Sequence, residues 1–180
     1  MPPDSEPDAL DPFAGSLSHS EPLVLLWQPL PTLDDVDIAD HNRRAAALLP
    51  LLGSLDEPAQ LPEDEPHVAA QLQRLDQKID LLLNLVGQWL TRELALPAPQ
   101  PARLGVRGVL WRADLSPGAG RVDIYLRAGL PVALSLPAEL TPLPTGNVLA
   151  QFQHLDAALT ESLERYVFRC HRRAVAQARR

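Results

Sequence analysis

Residues 67–94 read HVAAQLQRLDQKIDLLLNLVGQWLTREL. Apolar side chains fall at Val68, Leu72, Leu75, Ile79, Leu82, Val86 and Trp89, in alternating steps of four and three residues without an error. This is a heptad, the period that keeps one seam of a helix against a neighbouring helix. With Leu72, Ile79 and Val86 as a positions and Val68, Leu75, Leu82 and Trp89 as d positions, Leu83 and Leu90 fall at e and Leu85 at g. Such flanking sites are usually charged in a two-stranded coil. Apolar residues there widen the stripe, so its second half can be buried against more than one helix. Pro66 and Pro97 bound the helix at about 28 residues, roughly 42 Å at 1.5 Å per residue. Either the stripe lies along its own domain, or copies of the chain bury it among themselves. Strict 3.5-residue periodicity, the length of the helix and the prolines on both sides favour self-association.

On the N-terminal side, 56–66 is acidic and proline-rich and reads as a linker. Before it, Thr32 or Asp34 caps a helix with an acidic first turn (Asp34, Asp35, Asp37), as the helix dipole prefers. Its apolar positions are Ile38, Ala45, Leu48, Leu49 and Leu52, with Gly53 ending it. Leu23 to Trp27 reads as a short buried strand stopped by Pro29 and Pro31, so 22–55 forms a strand and a helix. Residues 1–21 have the polar, proline-broken composition of a flexible tail.

On the C-terminal side, a proline hinge (Pro97, Pro99, Pro101) gives way to period-two patterning. Val106, Gly108 and Leu110 alternate with Arg107, Val109 and Trp111; Val122, Ile124 and Leu126 oppose Asp123, Tyr125 and Arg127. Pro131–Leu136 and Asn147–Phe152 are further short strands, with Gly118, Gly120, Gly129 and Gly146 supplying turns. Short strands with no helix between them predict a small antiparallel barrel over 102–155 that leans on flanking helices. From 156 to 180 a last helix carries Leu155, Leu159, Leu163 and Val167 on one face. Arg165, Arg169, Arg172, Arg173, Arg179 and Arg180 load its C-terminal half, either as a solvated complement to the dipole or as a docking surface for an acidic partner.

Composition limits the functions available. The net charge of −7 is unevenly spread: residues 1–66 hold 14 Asp/Glu against 2 Arg, whereas 67–180 hold 9 Asp/Glu against 14 Lys/Arg. An acidic total, and a basic end with few interleaved aromatics, argue against nucleic-acid binding. The apolar run Leu23 to Trp27, which no other exceeds, is too short to enter and cross a bilayer, which takes about 20 residues. A single cysteine, Cys170, excludes an intramolecular disulfide, and the acidic start lacks the parts of a secretory signal. The expected setting is the cytoplasm.

Catalytic chemistry finds few candidates. The histidines (His19, His41, His67, His154, His171) are scattered, with no HxxxH or CxxC spacing for a metal. Lys78, the only lysine, sits mid-helix, away from any glycine-rich loop. Neither a catalytic residue, a metal nor a cofactor is expected.

Several residues together carry a likeness to a known family. Leu75-Asp76-Gln77-Lys78-Ile79-Asp80, the proline hinge, Gly108-Val109-Leu110-Trp111, and Arg165-Tyr166-Val167-Phe168-Arg169 with His171-Arg172-Arg173 resemble, in that order, the atypical, tetrameric branch of the bacterial PilZ family. The likeness covers roughly residues 22–180. It implies an α+β fold with a six-stranded antiparallel barrel, a homotetramer held by a helix bundle, and a place in cyclic di-GMP signalling. The typical family grips cyclic di-GMP with Arg-x-x-x-Arg and a downstream Asp/Asn-x-Ser-x-x-Gly. Arg103 and Arg107 match the first, and Asp114 and Ser116 begin the second, with Ala119 in place of its glycine. Only six residues separate Arg107 from Asp114, one short strand with no turn. A second register lays Arg103–Gly108 on the barrel motif itself, with Arg103 for its acid or amide, Gly105 for its serine and Gly108 retained. Under either register the grip is incomplete. The resemblance then implies a non-catalytic oligomeric adaptor working through a protein partner, with weak or no nucleotide binding. The alternative is a direct receptor using Arg103, Arg107, Asp114 and Ser116.

Overall fold

The computed structural model describes residues 11–30, 34–54, 66–127, 130 and 132–178. Among them, strands β1 (Ser18–Pro29), β2 (Gln100–Gly105), β3 (Gly108–Arg112), β4 (Gly118–Tyr125), β5 (Ala133–Pro142) and β6 (Asn147–Phe152) close an antiparallel barrel in the order β1-β2-β3-β6-β5-β4. Helices α1 (Asp35–Ser54), α2 (Pro66–Glu93) and α3 (Ala157–Ala178) complete an α+β fold.

Closure depends on β1. Its first half pairs with β2 from Ser18↔Gly105 to Leu23↔Gln100, and its second half with β4 from Val24↔Tyr125 to Pro29↔Gly120. One strand thus bridges both edges, leaving no open edge to be capped. Period-two alternation sends Leu23 and Leu25 of β1, Val122 and Ile124 of β4, Leu134 and Leu136 of β5 and Val148 and Ala150 of β6 into an almost wholly aliphatic core. The tight β5–β6 hairpin turns at Gly146, whose φ of +74° suits glycine and whose N–H donates to the Leu143 carbonyl at 3.1 Å.

Several boundaries differ from the sequence-based expectation. The expected tail of 1–21 ends sooner: β1 begins at Ser18, and Phe13 is buried. The barrel starts at Gln100 instead of 102, since Pro101 lies opposite Pro22, a register position where neither needs to donate across the pair. Gly118 and Gly120 lie in β4, not in a turn: a Cβ on Gly120 would run into the Gln28 carbonyl and the Trp27 ring, so the glycine permits strand contact. β5 continues to Pro142 past the expected end at Leu136, and the Pro137 carbonyl within it accepts from Gln153 N–H at 2.8 Å. β3 starts at Gly108, leaving Val106 and Arg107 in the bend before it. Gly129, and the linker positions 56–65, lie outside the described residues.

Asp34 is the α1 cap, accepting from Asp37 N–H at 2.7 Å, and Asp156 caps α3 by accepting from Leu159 N–H at 2.7 Å. Ala45, Leu49 and Leu52 of α1 share the core with Leu159, Leu163 and Val167 of α3, and the two helices rest on β5 and β1. Asn42, buried on α1, donates to the His154 carbonyl at 2.7 Å and ties α1 to the turn before α3. We expect Asn42→Ala to cost about 1–2 kcal/mol, since that carbonyl would lose its partner, a loss measurable by urea unfolding.

Helix α2 is different. Val68, Leu72, Leu75, Ile79, Leu82, Leu85, Val86 and Trp89 are between 40% and 62% exposed, while Leu83 is half-buried. The seam is therefore not buried on its own barrel. An apolar stripe of this length left in water is exceptional for a folded chain. No helix among the described residues is long and apolar enough to cross a membrane.

Candidate functional site

The arginine motif lies on the β2–β3 hairpin. In β2, Ala102 and Leu104 point into the core, so Arg103 between them points out. Its Nε donates to Ser18 Oγ at 2.8 Å and its Nη1 to Asp11 Oδ1 at 2.8 Å, and the guanidinium lies 5.1 Å from the centroid of the Phe13 ring. Phe13 in turn fills the place a side chain at 105 would take: a Cβ on Gly105 would fall in the Phe13 ring, 2.6 Å from its Cδ1. Two successive turns hold Phe13 there. The Asp11 carboxylate accepts from Phe13 N–H at 3.0 Å, and the Phe13 carbonyl accepts from Ser16 N–H at 2.9 Å.

Asp11 is held below the ordinary carboxylate value of 3.8, first by the Phe13 N–H; desolvation, next in size, opposes this, and Arg103 adds to the lowering through its hydrogen bond and its charge. The sign follows from linkage. A carboxylate depressed in the folded state adds stability above its unfolded pKa and loses it as pH falls through the folded value. The strap of residues 11–17 is therefore expected to loosen below about pH 4, ahead of the barrel. The Phe13 amide resonance checks this: it should shift with acid while the amides of β4 and β5 hold.

Arg107 is exposed in the bend after β2, and its carbonyl accepts from Phe152 N–H at 2.8 Å. It borders a groove of about 1040 Å³ shared by Phe13, Gly108, Gln151, Arg165 and Phe168. Asp114 and Ser116 are exposed in the loop after β3. Strand β3 separates them from Arg107, five residues or about 17 Å of extended chain. The hairpin thus brings Arg103 and Arg107 together on one end of the barrel and leaves Asp114 and Ser116 at the other. In the register that lays Arg103–Gly108 on the barrel motif, the same face is covered by the chain's own residues 11–17. Sequence reasoning missed Asp11 and Phe13 because a polar, proline-broken stretch hides one aromatic. That aromatic, one of only 3 phenylalanines in the chain, was the available signal.

Elsewhere, His19 and Glu21 of β1 meet Cys170 of α3, with metal-ligand atoms all within 4.8 Å of one another. Neighbours i and i+2 on a strand share a face, a spacing the HxxxH and CxxC templates do not cover. Desolvation first, then His171 and Arg173, keep His19 below the ordinary imidazole value of 6.5, despite Glu21 at 3.7 Å. Arg173 lines the same cavity, so part of the positive field that favours neutral His19 also opposes a bound cation. Cys170 is buried and His171 exposed, so these adjacent residues do not act together. Of the α3 arginines, Arg165 pairs with Glu161 and Arg172 lies 5.8 Å from the Phe168 ring centroid, while Arg179 and Arg180 fall outside the described residues.

Residues 49–180 match the family model described as atypical PilZ domain, cyclic di-GMP receptor. A solved structure of a pathogenic protein from Xanthomonas campestris is similar over 91% of this chain and 92% of that one, at 28% identity and a TM-score of 0.66. That protein is described as a new tetrameric PilZ domain self-assembled via an unusual helical bundle. No curated protein matches the chain.

Proposed function

We propose that this chain, which belongs to the atypical PilZ domain family, is a non-catalytic oligomeric adaptor in bacterial cyclic di-GMP signalling, working in the cytoplasm through protein contacts. The observation that carries the reading is α2, a 28-residue helix whose heptad seam stays exposed on a single chain. Copies of the chain are the natural cover. The seam is regular enough to repeat along a bundle, and the wide stripe through Leu82, Leu83, Leu85, Val86 and Trp89 suits contact with more than one neighbour. The tetrameric Xanthomonas relative supports a homotetramer. Sedimentation at micromolar concentration tests it: a multiple of 19.7 kDa is expected, and a lone chain would end the reading.

The incomplete ligand face supports adaptor over receptor. Arg103 is engaged by Asp11 and Ser18, and Asp114 and Ser116 stand at the wrong end of β3 to share a ligand with Arg107. Titration calorimetry is expected to show no heat with about 100 μM cyclic di-GMP, since even a millimolar site is worth only about −4 kcal/mol. The receptor reading keeps one favourable observation, the roomy groove beside Arg107. Micromolar binding lost in Arg107→Ala would establish it.

A further inference from the structure

The contact between residues 11–17 and the outer face of β2 has the parts of a recognition event. An acid meets an arginine at 2.8 Å, an aromatic ring lies against the same guanidinium, and the ring occupies a notch that exists because position 105 has no side chain. Charge, stacking and shape agree on one short segment, Asp11-Pro12-Phe13. That segment precedes β1 and takes no part in the barrel ladder, whose first pair is Ser18↔Gly105. It can leave without breaking a strand. The groove beyond it, about 1040 Å³, is larger than one phenylalanine fills, and it carries the exposed Arg107 beside Arg165, which is paired with Glu161.

We propose that this face of the barrel is a docking site for a partner protein's peptide carrying an aspartate two residues before a phenylalanine in a tight turn, and that residues 11–17 are its tethered competitor. The inference rests on the adaptor reading, because it names the kind of partner such an adaptor would hold. A tethered segment competes at an effective concentration in the millimolar range, so a free peptide must exceed that to displace it. Weakening the strap should therefore open the site to the same chemistry in trans. An arginine beneath an aromatic ring, with a carboxylate in reach of the fork, is an arrangement lysine could not replace.

The experiment uses the full chain and a fluorescent peptide of residues 11–17. Anisotropy should show the peptide binding the Asp11→Ala/Phe13→Ala variant at least tenfold more tightly than the parent chain, with no binding by a peptide whose phenylalanine is replaced by alanine. Adding Gly105→Ala to the opened variant should abolish the gain by filling the notch. Should the double variant fold poorly by circular dichroism, Asp11→Asn alone should give a smaller gain in the same direction. Equal binding to parent and opened chains, or none by a folded opened chain at about 1 mM peptide, would overturn the proposal. So would cyclic di-GMP binding the opened chain where the peptide does not. Mass in solution, read on the same samples, separates the two readings: a monomeric parent whose opened form takes the peptide loses the oligomer and keeps the docking site. An oligomeric parent whose opened form ignores the peptide loses only the site.

Discussion

Replacing Ile79 and Leu82 together by aspartate is expected to reduce the assembly to single chains of 19.7 kDa while leaving each barrel folded. The two residues are a and d neighbours in the middle of the seam, 52% and 60% exposed on one chain. In a bundle both would be taken out of water, and an unpaired carboxylate there costs about 3–5 kcal/mol. Two per chain weaken association by ~6 kcal/mol or more, over 10⁴-fold. Little such cost falls on the barrel, because both side chains are already exposed on a single chain. Circular dichroism should accordingly show unchanged secondary structure apart from α2, whose helicity depends on being covered. Sedimentation equilibrium reads the result. An unchanged mass would show that the seam is not the interface, and a cooperative loss of the barrel signal would show that α2 holds it together.

Leu163→Ala is expected to do the reverse, destabilising the fold without touching the seam. Leu163 is wholly buried on the face of α3 that closes against α1 and the barrel, beside Leu159 and Val167. Removing its branched end deletes buried surface and leaves a cavity, at about 3–4 kcal/mol for a site this enclosed. For a chain of this size that lowers Tm by roughly 10 °C. The matched control is Leu85→Ala on α2, where the same deletion at a residue 54% exposed should leave barrel unfolding within about 0.5 kcal/mol of the parent. Urea unfolding followed by the barrel tryptophans Trp27 and Trp111, with Trp89 changed to phenylalanine in every sample, separates the two. Similar losses from both would mean that α2 belongs to the same cooperative unit as the barrel.

Much of this architecture was legible because it is local. The seam from Val68 to Trp89 is a spacing of three and four, and the spacing is enough to write the helix and its sticky face. The strands at Val122–Ile124 and Asn147–Phe152 were legible through period two, and Asp34, with Thr32 the other candidate, as a cap through its place before an apolar run. Where the reading slipped, the deciding force was not local. Gln100 and Pro101 looked like part of a hinge because of the prolines, and they open a strand in which Pro22 stands across from Pro101. Gly118 and Gly120 looked like turn residues, and they let Trp27 and Gln28 of the neighbouring strand come close.

The arginine motif marks the division most clearly. Residue types and intervals along one element carry their own periodicity, so the chain alone specified a heptad helix, a small sheet and a basic terminal helix. Whether Arg103 and Arg107 act with Asp114 and Ser116, or with nothing beyond the chain, depended on partners far off in sequence. Asp11 lies 92 residues from Arg103, and the ring on Gly105 comes from the same distant stretch. Those meetings exist because β1 pairs with β2 in one particular register, and register answers to the whole barrel's closure, which no short window of residues contains.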